Sequence, residues 1–295
     1  RRSAAMIALL LLAFAHNPAE ADGEEPVIQI GTPREVIAGD YRKRTLARLD
    51  EEGNVVWSRR IRAIHDLHIL PNGHVLYQTN FRNVIEENAN GETVWRYDAP
   101  EGVEIHAFQR LPDGSTLVAE SGVRRLIEVR KDGSIQKEIP LTVETPDKHR
   151  DTRLARKTAA GTYLVAHEKD AAVREYDADG TVVWSYDVGS KVYGVERLAN
   201  GNTLIGAGDG HSVIEVNPAG ETVWTLTSDD LPDIELAWVT TATRRPNGNT
   251  LVVNCHAGPE NPQILEVTPE KRVVWSYKNF ETFGNALPVA VLPKR

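Results

Sequence analysis

The sequence predicts an all-β protein, a six-bladed β-propeller built from four-stranded antiparallel blades. Two short phrases alternate along the chain, and the last copy of the repeat stops after its first strand. A repeat of about 40 residues with several short strands in each unit is typical of propellers. The incomplete last copy is explained if the two ends of the chain complete one blade together.

The first phrase places a turn dipeptide, usually Asn-Gly or Asp-Gly, between two apolar runs. Its copies lie at residues 70–76, 111–117, 160–164, 198–204 and 245–251, and their glycines recur 40 to 47 residues apart. Such dipeptides are the strongest short-range signal for a β-hairpin, because the turn requires positive φ. Each copy therefore predicts the turn between the first and second strands of a unit.

The second phrase starts at a turn, usually with Gly, and ends in Trp in five of six copies. The copies lie at residues 53–57, 91–95, 133–137, 180–184, 220–224 and 271–275, and the third ends in Lys137 instead. A short apolar strand such as residues 213–216 precedes each copy. The unit is therefore a four-stranded meander. We expect its Trp to pack between neighbouring sheets rather than to bind a ligand.

Five complete units begin near residues 64, 105, 152, 192 and 239. The sixth is divided, because residues 287–293 match a first strand and residues 27–57 supply the other three. Pairing these ends removes exposed sheet edges. An open sheet or a pair of sandwiches would not explain why the chain stops within a unit.

The N-terminal residues predict an export signal. Arg1 and Arg2 precede an apolar run at residues 4–15, and residues 19–21 form a small-x-small cleavage signature. The run is shorter than the roughly 20 residues that a membrane-spanning helix needs, and the alternative is a buried N-terminal helix. We therefore expect a signal peptide at residues 1–21, a single propeller domain at residues 22–295, and a secreted or periplasmic protein with no membrane span.

Composition excludes some classes of partner. The formal net charge is −8 and no basic stripe is present, so nucleic-acid binding is not expected. Cys255 is the only cysteine, so no intrachain disulfide can form and the core alone must provide stability. We expect a monomer that binds a small molecule or a protein on its channel face.

A polar column opens the innermost strands when the units are aligned on the turn glycine. An apolar column follows it, as expected where a ring of polar groups surrounds the mouth of a channel. The second strands end on the same face and bring further polar groups. The first column is His65, His106, Arg153, Tyr193, Thr240 and Leu287, and the second group is Glu120, His167, Asp209, His211, Cys255 and His256.

The two phrases together resemble the repeats of arylsulfotransferase-like propellers and, more loosely, PQQ-type quinoprotein repeats. The first phrase is Leu-Pro-Asn-Gly-Asn-Thr-Leu, which residues 198–204 match in near-identical form, and the second is Asp-x-x-Gly-x-Val-Val-Trp, as at residues 177–184. The likeness covers nearly the whole mature chain. The first resemblance implies channel histidines and an arginine that bind a sulfuryl group, with one histidine carrying it covalently. Quinoprotein dehydrogenases are larger eight-bladed rings that hold PQQ and calcium, so neither this cofactor nor any other is expected in a six-bladed chain.

Three hypotheses follow for this ring. In the first, His65 or His106 is the nucleophile towards a sulfate or phosphate ester and Arg153 holds the anionic oxygens. In the second, the ring only binds a ligand. In the third, histidines and an aspartate hold a metal. Strand alternation disfavours this hypothesis, because it places the two histidines of the His-Asp-x-His run, residues 65 and 68, on opposite faces. The residues of that third set are His65, Asp66, His68, His106 and His256.

Ligand binding is the preferred interpretation, and sulfuryl transfer is the alternative. Tyr193, Thr240 and Leu287 suit a binding ring, whereas two histidines and one arginine suit catalysis. A lone histidine on a strand is also commonly a hydrogen-bonded core residue. The predicted catalytic residues are His65, His106 and Arg153, the predicted ligand-binding residues are Asp66, His68, Tyr193, His167, His211 and His256, and no metal is expected.

Overall fold

The structure is a computed structural model that describes residues 27–293, so the expected signal peptide lies outside the described residues. Within this range, 25 strands form six antiparallel sheets. Neighbouring sheets contact each other in chain order around a ring, which confirms the six-bladed propeller. No helix in the described range is long and apolar enough to cross a membrane.

Four blades have the predicted order of strands from the inside of the ring outwards. Blade 2 contains β5 (Leu67–Ile69), β6 (Val75–Tyr77), β7 (Asn83–Glu87) and β8 (Thr93–Asp98). Blade 3 contains β9 (Glu104–Arg110), β10 (Thr116–Ser121), β11 (Arg125–Val129) and β12 (Ile135–Pro140). Blade 4 contains β13 (Ala155–Lys157), β14 (Tyr163–His167), β15 (Ala172–Tyr176) and β16 (Val182–Asp187). Blade 5 contains β17 (Gly194–Arg197), β18 (Thr203–Gly206), β19 (Ser212–Val216) and β20 (Thr222–Thr227), and a 3-10 turn follows at Ser228–Asp230.

Blade 1 closes the ring with strands from both ends of the chain. It contains β2 (Val36–Asp40), β3 (Thr45–Leu49), β4 (Val55–Arg60) and, as its innermost strand, β25 (Val289–Val291). The register pairs Ile37 with Val291 and Gly39 with Val289. The predicted closure is therefore confirmed.

Blade 6 has one strand more than the repeat predicts. It contains β21 (Trp238–Arg244), β22 (Thr250–Cys255), β23 (Ile264–Val267) and β24 (Val273–Lys278), and β1 (Ile28–Ile30) pairs antiparallel with the outer edge of β24. Gln29 anchors β1 by accepting a 3.0 Å hydrogen bond from the indole of Trp275. The sequence assigned residues 27–57 to the closing blade, but the first of them cover an edge of blade 6 instead.

The repeated tryptophans join neighbouring blades, as predicted. The indole of Trp57 donates to Glu87 of blade 2 at 3.0 Å, and those of Trp184 and Trp224 donate to carbonyl oxygens of the next blade at 3.1 and 2.9 Å. Arginines also lie over several of the rings, including Arg110 of blade 3, whose guanidinium carbon is 5.1 Å from the ring centre of Trp95. These contacts bury the apolar surface of the indole rings and give the indole N–H a hydrogen-bond acceptor.

Candidate ligand-binding funnel

The loops that lead into the innermost strands open together on one face of the ring. They surround a cavity of about 650 Å³, which we call the funnel. Four residues of the predicted column line the funnel, namely His65, Arg153, Tyr193 and Thr240, whereas His106 and Leu287 do not. Side chains lining it include Tyr41, Arg62, His65, Phe81, His149, Arg150, Arg153, Tyr193, Trp238, Thr240 and His256.

His65 and Tyr193 form the floor of the funnel. The hydroxyl of Tyr193 lies 2.9 Å from Nδ1 of His65, and the backbone N–H of His65 donates to Gln78 at 2.7 Å. Burial, reinforced by the neighbouring His106, holds the pKa of His65 well below its usual range. Burial also raises the pKa of Tyr193 well above its usual value. The pair is therefore neutral near pH 7. The hydroxyl of Tyr193 donates to the carbonyl oxygen of His65 at 3.2 Å and can accept Nδ1–H of the same residue, which leaves the lone pair on Nε2.

His106 is buried next to His65, with ring centres 4.7 Å apart. Its Nδ1 lies 2.8 Å from the carbonyl oxygen of Thr152, and its Nε2 lies 3.1 Å from Oε2 of Glu104. Burial is the main cause that lowers the pKa of His106 to about 4. Hydrogen bonds from His106 and then His149 lower the pKa of Glu104 to about 2. The carboxylate is therefore ionised beside the neutral ring of His106.

Arg153 lies beside both histidines and is buried. Its Nη1 is 3.0 Å from Nδ1 of His106, and its guanidinium carbon is 5.9 Å from the ring centre of Tyr193. The Nε atom contacts the buried carboxylate of Glu168 in an ion pair. The structure thus brings His65, His106 and Arg153 together, as the aligned column indicated, but Glu168 already neutralises the arginine.

Asp66 and His68 do not lie in the funnel. Burial by itself raises the pKa of Asp66, but Arg156 and His68 outweigh that effect and lower it well below its usual range. Arg156 donates to both carboxylate oxygens at 2.7 and 2.8 Å, and Nε2 of His68 lies 3.2 Å from the same group. His68 and Arg156 line a second cavity, of about 900 Å³, at the opposite mouth of the channel. The separation follows from position along the chain, because His68 lies within β5, three residues and about 10 Å beyond His65 at the usual rise of a strand.

The remaining predicted histidines divide between the core and the rim. His167 is fully buried, with Nδ1 2.7 Å from the carbonyl oxygen of Asp151 and Nε2 2.8 Å from the hydroxyl of Tyr176, so it does not line the funnel. His211 is exposed in a left-handed turn with φ 53° and is not part of the lining. His256 does line the funnel, and its Nε2 is 2.9 Å from the hydroxyl of Tyr41.

Several funnel residues were not predicted. His149 and Arg150 lie in the loop between β12 and β13, and Trp238 follows the loop between β20 and β21. A signal for both loops existed, because the two longest spacings between turn glycines fall there and indicate insertions. Phe81 and Arg62 carry no comparable signal.

The arginines that line the funnel differ in whether a carboxylate neutralises their charge. Arg150 pairs with Asp147 at 2.6 Å, and Arg153 pairs with Glu168. Within residues 27–293, no hydrogen bond or ion pair is made by the side chain of Arg62, which is exposed. The funnel therefore combines one available cation with aromatic walls.

Comparison with solved structures supports the fold. A protein of unknown function from Bacteroides caccae has a TM-score of 0.81 at 22% identity, over 89% of this chain and 100% of its own. A streptogramin B lyase has a TM-score of 0.63 at 11% identity, over 90% and 97% of the chains. An inactive virginiamycin B lyase from Staphylococcus aureus with quinupristin has a TM-score of 0.60 at 12% identity, over 85% and 88%. At these identities the likeness shows a shared fold.

A family model identifies the repeat. No curated protein matches the chain. The model for the PQQ_2 family matches residues 87–259, which is more than half of the sequence, and confirms the looser of the two resemblances. The chain therefore belongs to the PQQ_2 family, whose model is described as outer membrane protein assembly factor BamB.

Proposed function

We propose that this propeller binds a small ligand in the funnel, and that the ligand carries an anionic group next to an aromatic or apolar part. The observation that carries the proposal is the position of Arg62, a cation with no ion-pair partner in the described part of the chain, beside a cavity of about 650 Å³. Pockets of this size with a few polar groups are typical of small-molecule sites.

The aromatic lining supports the second half of the proposal. Phe81, Tyr41 and Trp238 are half-buried and contribute to the wall. Such rings bury a large area and stack against a flat ligand. His65, whose pKa burial holds well below its usual range, and His149 add hydrogen-bonding groups near the floor.

The test is binding of a matched set of compounds by isothermal titration calorimetry. The set is 4-nitrophenyl sulfate, 4-nitrophenyl phosphate, 4-nitrobenzoate and, as the uncharged member, 4-nitrobenzyl alcohol. We expect the anions to bind and Arg62→Ala to weaken binding about 10- to 100-fold, the usual effect of losing one hydrogen bond to a charged group. Arg272→Ala, an exposed arginine in a turn of blade 6, should change nothing. Equal binding of the alcohol, or no effect of Arg62→Ala, would contradict the proposal.

Sulfuryl transfer is the second candidate, and the free nitrogen of His65 favours it. Nε2 of this buried, neutral ring has no hydrogen-bond partner within the described part of the chain. An imidazole nitrogen can attack sulfur while the bond from sulfur to the phenolic oxygen breaks and phenolate leaves. A phenol acceptor then takes the sulfuryl group, its proton is released, and the ring regains its lone pair.

Release of yellow nitrophenolate from 4-nitrophenyl sulfate in the presence of phenol tests this candidate. Release that disappears in both His65→Ala and His106→Ala would support the enzyme. Release by neither the parent protein nor any variant, across several aryl sulfates, would leave binding as the function. Binding by calorimetry and release by absorbance are separate readouts, so each candidate can fail alone.

We also propose that residues 1–21 direct export, so that the mature domain of residues 22–295 acts in the periplasm or outside the cell. The basic start and the apolar run support this. Expression of the full chain in a bacterium, with fractionation and N-terminal sequencing, should give a periplasmic product starting near Asp22. A cytoplasmic product that retains the N-terminal residues would contradict export. Light scattering on the same sample tests the expected monomer.

A further inference from the structure

We propose that Glu104, His106 and His149 form a binding site for a divalent first-row transition metal at the base of the funnel. Oε2 of Glu104 lies 3.1 Å from Nε2 of His106 and 2.6 Å from Nδ1 of His149. One donor atom from each residue lies within 4.8 Å of the other two. Two imidazoles and one carboxylate form a donor set typical of zinc and non-haem iron sites.

Among residues 27–293, no lysine or arginine balances the carboxylate of Glu104. Its ion-pair contacts in this range are only these two histidines. The nearby Arg153 is occupied by Glu168, and Arg150 by Asp147. A partly buried anion whose partners are two imidazoles is an electrostatic site for a cation.

The surroundings of His106 are compatible with a metal ligand. A neutral imidazole has one N–H, and acceptor oxygens flank both of its nitrogens, Thr152 at 2.8 Å from Nδ1 and Glu104 at 3.1 Å from Nε2. With the proton on Nε2, the ring donates to Glu104, and Nδ1 accepts from Nη1 of Arg153 at 3.0 Å. With the proton on Nδ1, the ring donates to Thr152 and turns the lone pair of Nε2 towards Glu104.

A metal ion would select the tautomer with the proton on Nδ1. Nδ1–H of His106 then donates to the carbonyl oxygen of Thr152, while Nε2 and the carboxylate of Glu104 turn their lone pairs to the ion. Metal-binding histidines usually donate the other ring N–H to a carbonyl or carboxylate in this way. His65 lies beside the three ligands, with its ring centre 4.7 Å from that of His106, and its buried Nε2 has no hydrogen-bond partner among residues 27–293.

The site would be open on one side. His149 is partly exposed and lines the funnel, so a bound ion could keep coordination positions that face the cavity. Three protein ligands with an open position are typical of sites at which a metal binds an exogenous ligand. The proposal goes beyond the binding of an anion at Arg62 and stands independently of it, because the metal alone is the probe.

The experiment titrates chelator-treated full chain with ZnCl2, and separately with MnCl2 and NiCl2, by calorimetry in the absence of any organic ligand. We expect one ion per chain, and a loss of affinity of at least about 100-fold in His149→Ala and in Glu104→Gln. His149 lies in a loop, so its variant should fold. His74→Ala is the matched control, because His74 forms a similar pair with Glu86 at 2.7 Å outside the funnel.

Metal-dependent anomalous scattering in crystals grown with ZnCl2 provides a second readout. A peak among the three side chains, together with the affinity loss, supports the site. Absence of binding for all three ions, or binding that His149→Ala leaves unchanged while His74→Ala abolishes it, would overturn the proposal. Failure of the aryl anions to bind would not affect it.

Discussion

The hydroxyl of Tyr193 lies 2.9 Å from Nδ1 of His65, although the two residues belong to blades 5 and 2, which are three positions apart in a ring of six. The hydrogen bond therefore crosses the axis of the propeller. It separates the funnel from the cavity at the opposite mouth, where Arg156 pairs with Asp66. The channel is closed at this level, and a ligand entering the funnel meets a polar floor.

The first prediction concerns this cross-channel bond. Tyr193→Phe leaves Nδ1 of His65 without its partner in a buried position, so the free energy of unfolding should fall by roughly 1 to 3 kcal/mol. Urea denaturation measures the change. Tyr186→Phe is the control, because the hydroxyl of Tyr186 makes only an exposed 3.2 Å contact with Thr222. Equal losses in the two variants would mean that the bond does not stabilise the ring.

The second prediction concerns the ties between neighbouring blades. Nη2 of Arg244 in β21 lies 2.6 Å from Oε2 of Glu215 in β19, and the guanidinium covers the ring of Trp224. Arg244→Met leaves the buried carboxylate unpaired and should lower the free energy of unfolding by about 2 kcal/mol, less than for a fully buried pair because Arg244 is partly exposed.

A double-mutant cycle isolates this tie. Adding Glu215→Gln to Arg244→Met should cost less than the two single changes together, because the unpaired charge is removed. The exposed pair of Arg96 and Asp98 supplies the control, since Arg96→Met should change stability by less than about 1 kcal/mol. Strict additivity in the cycle would show that the two blades are not coupled through these side chains.

The repeat determined the fold because each of its signals has a local physical cause. The turn glycines have positive φ, from 82° at Gly73 to 88° at Gly201, as their dipeptides predicted. The closing strand followed from counting strands in the last unit. The fifth strand of blade 6 could not be counted in this way, because β1 lies outside the repeat and pairs through a tertiary contact with Trp275.

The site was only partly predictable for a related reason. Alignment on the turns places His65, His106, Arg153 and Tyr193 at equivalent positions, so their convergence follows from symmetry. His149 reaches the same place on a loop whose path no repeat specifies. Residues such as His167, at the end of a second strand, lie on the same side of the ring as the funnel. The alternation of side chains along the strand nevertheless directs the imidazole of His167 into the core of its blade, where Tyr176 is its hydrogen-bond partner.

The third prediction is the effect of pH on stability through His167. Burial lowers the pKa of His167 from its ordinary value of 6.5 to about 4. As the pH falls, His167 therefore takes up a proton in the unfolded chain before it does so in the folded protein. Its contribution to the free energy of unfolding is fully present above pH 6.5 and is lost progressively down to about pH 4. One such group changes the free energy of unfolding by about 1.4 kcal/mol per pH unit, or roughly 3 kcal/mol over the range.

Substitution separates this histidine from the others. His65 and His106 shift in the same direction, so the parent protein should lose stability steeply in acid. His167→Gln should reduce the slope between pH 6 and 5 by about 1 kcal/mol per unit, measured by urea denaturation at a series of pH values. His211→Gln alters an exposed ring and should keep the parent slope. An unchanged slope in His167→Gln would show that this ring is not held neutral by the fold.

The fourth prediction concerns the wall of the funnel where blades 5 and 6 meet. A Cβ atom on Gly206 would lie 2.2 Å from the backbone oxygen of Thr240, and one on Gly194 would lie 2.3 Å from the same atom. The two glycines therefore let β21 approach β17 and β18 closely enough for Thr240 to line the funnel. Backbone hydrogen bonds between Gly208 and Val239, at 2.9 and 3.1 Å, hold the two blades in this position.

Gly206→Ala should thus push β21 away and destabilise the protein by more than the roughly 1 kcal/mol expected from backbone strain at a turn glycine. Gly201→Ala measures that strain alone, because φ there is 88° and the nearest atom to a Cβ would be 3.6 Å away. We expect Gly206→Ala to cost at least about 2 kcal/mol more in urea denaturation. It should also weaken binding of 4-nitrophenyl sulfate if the anion occupies the funnel, because the displaced strand carries part of its wall. Similar stability of the two variants would mean that the blades can separate at this point without penalty.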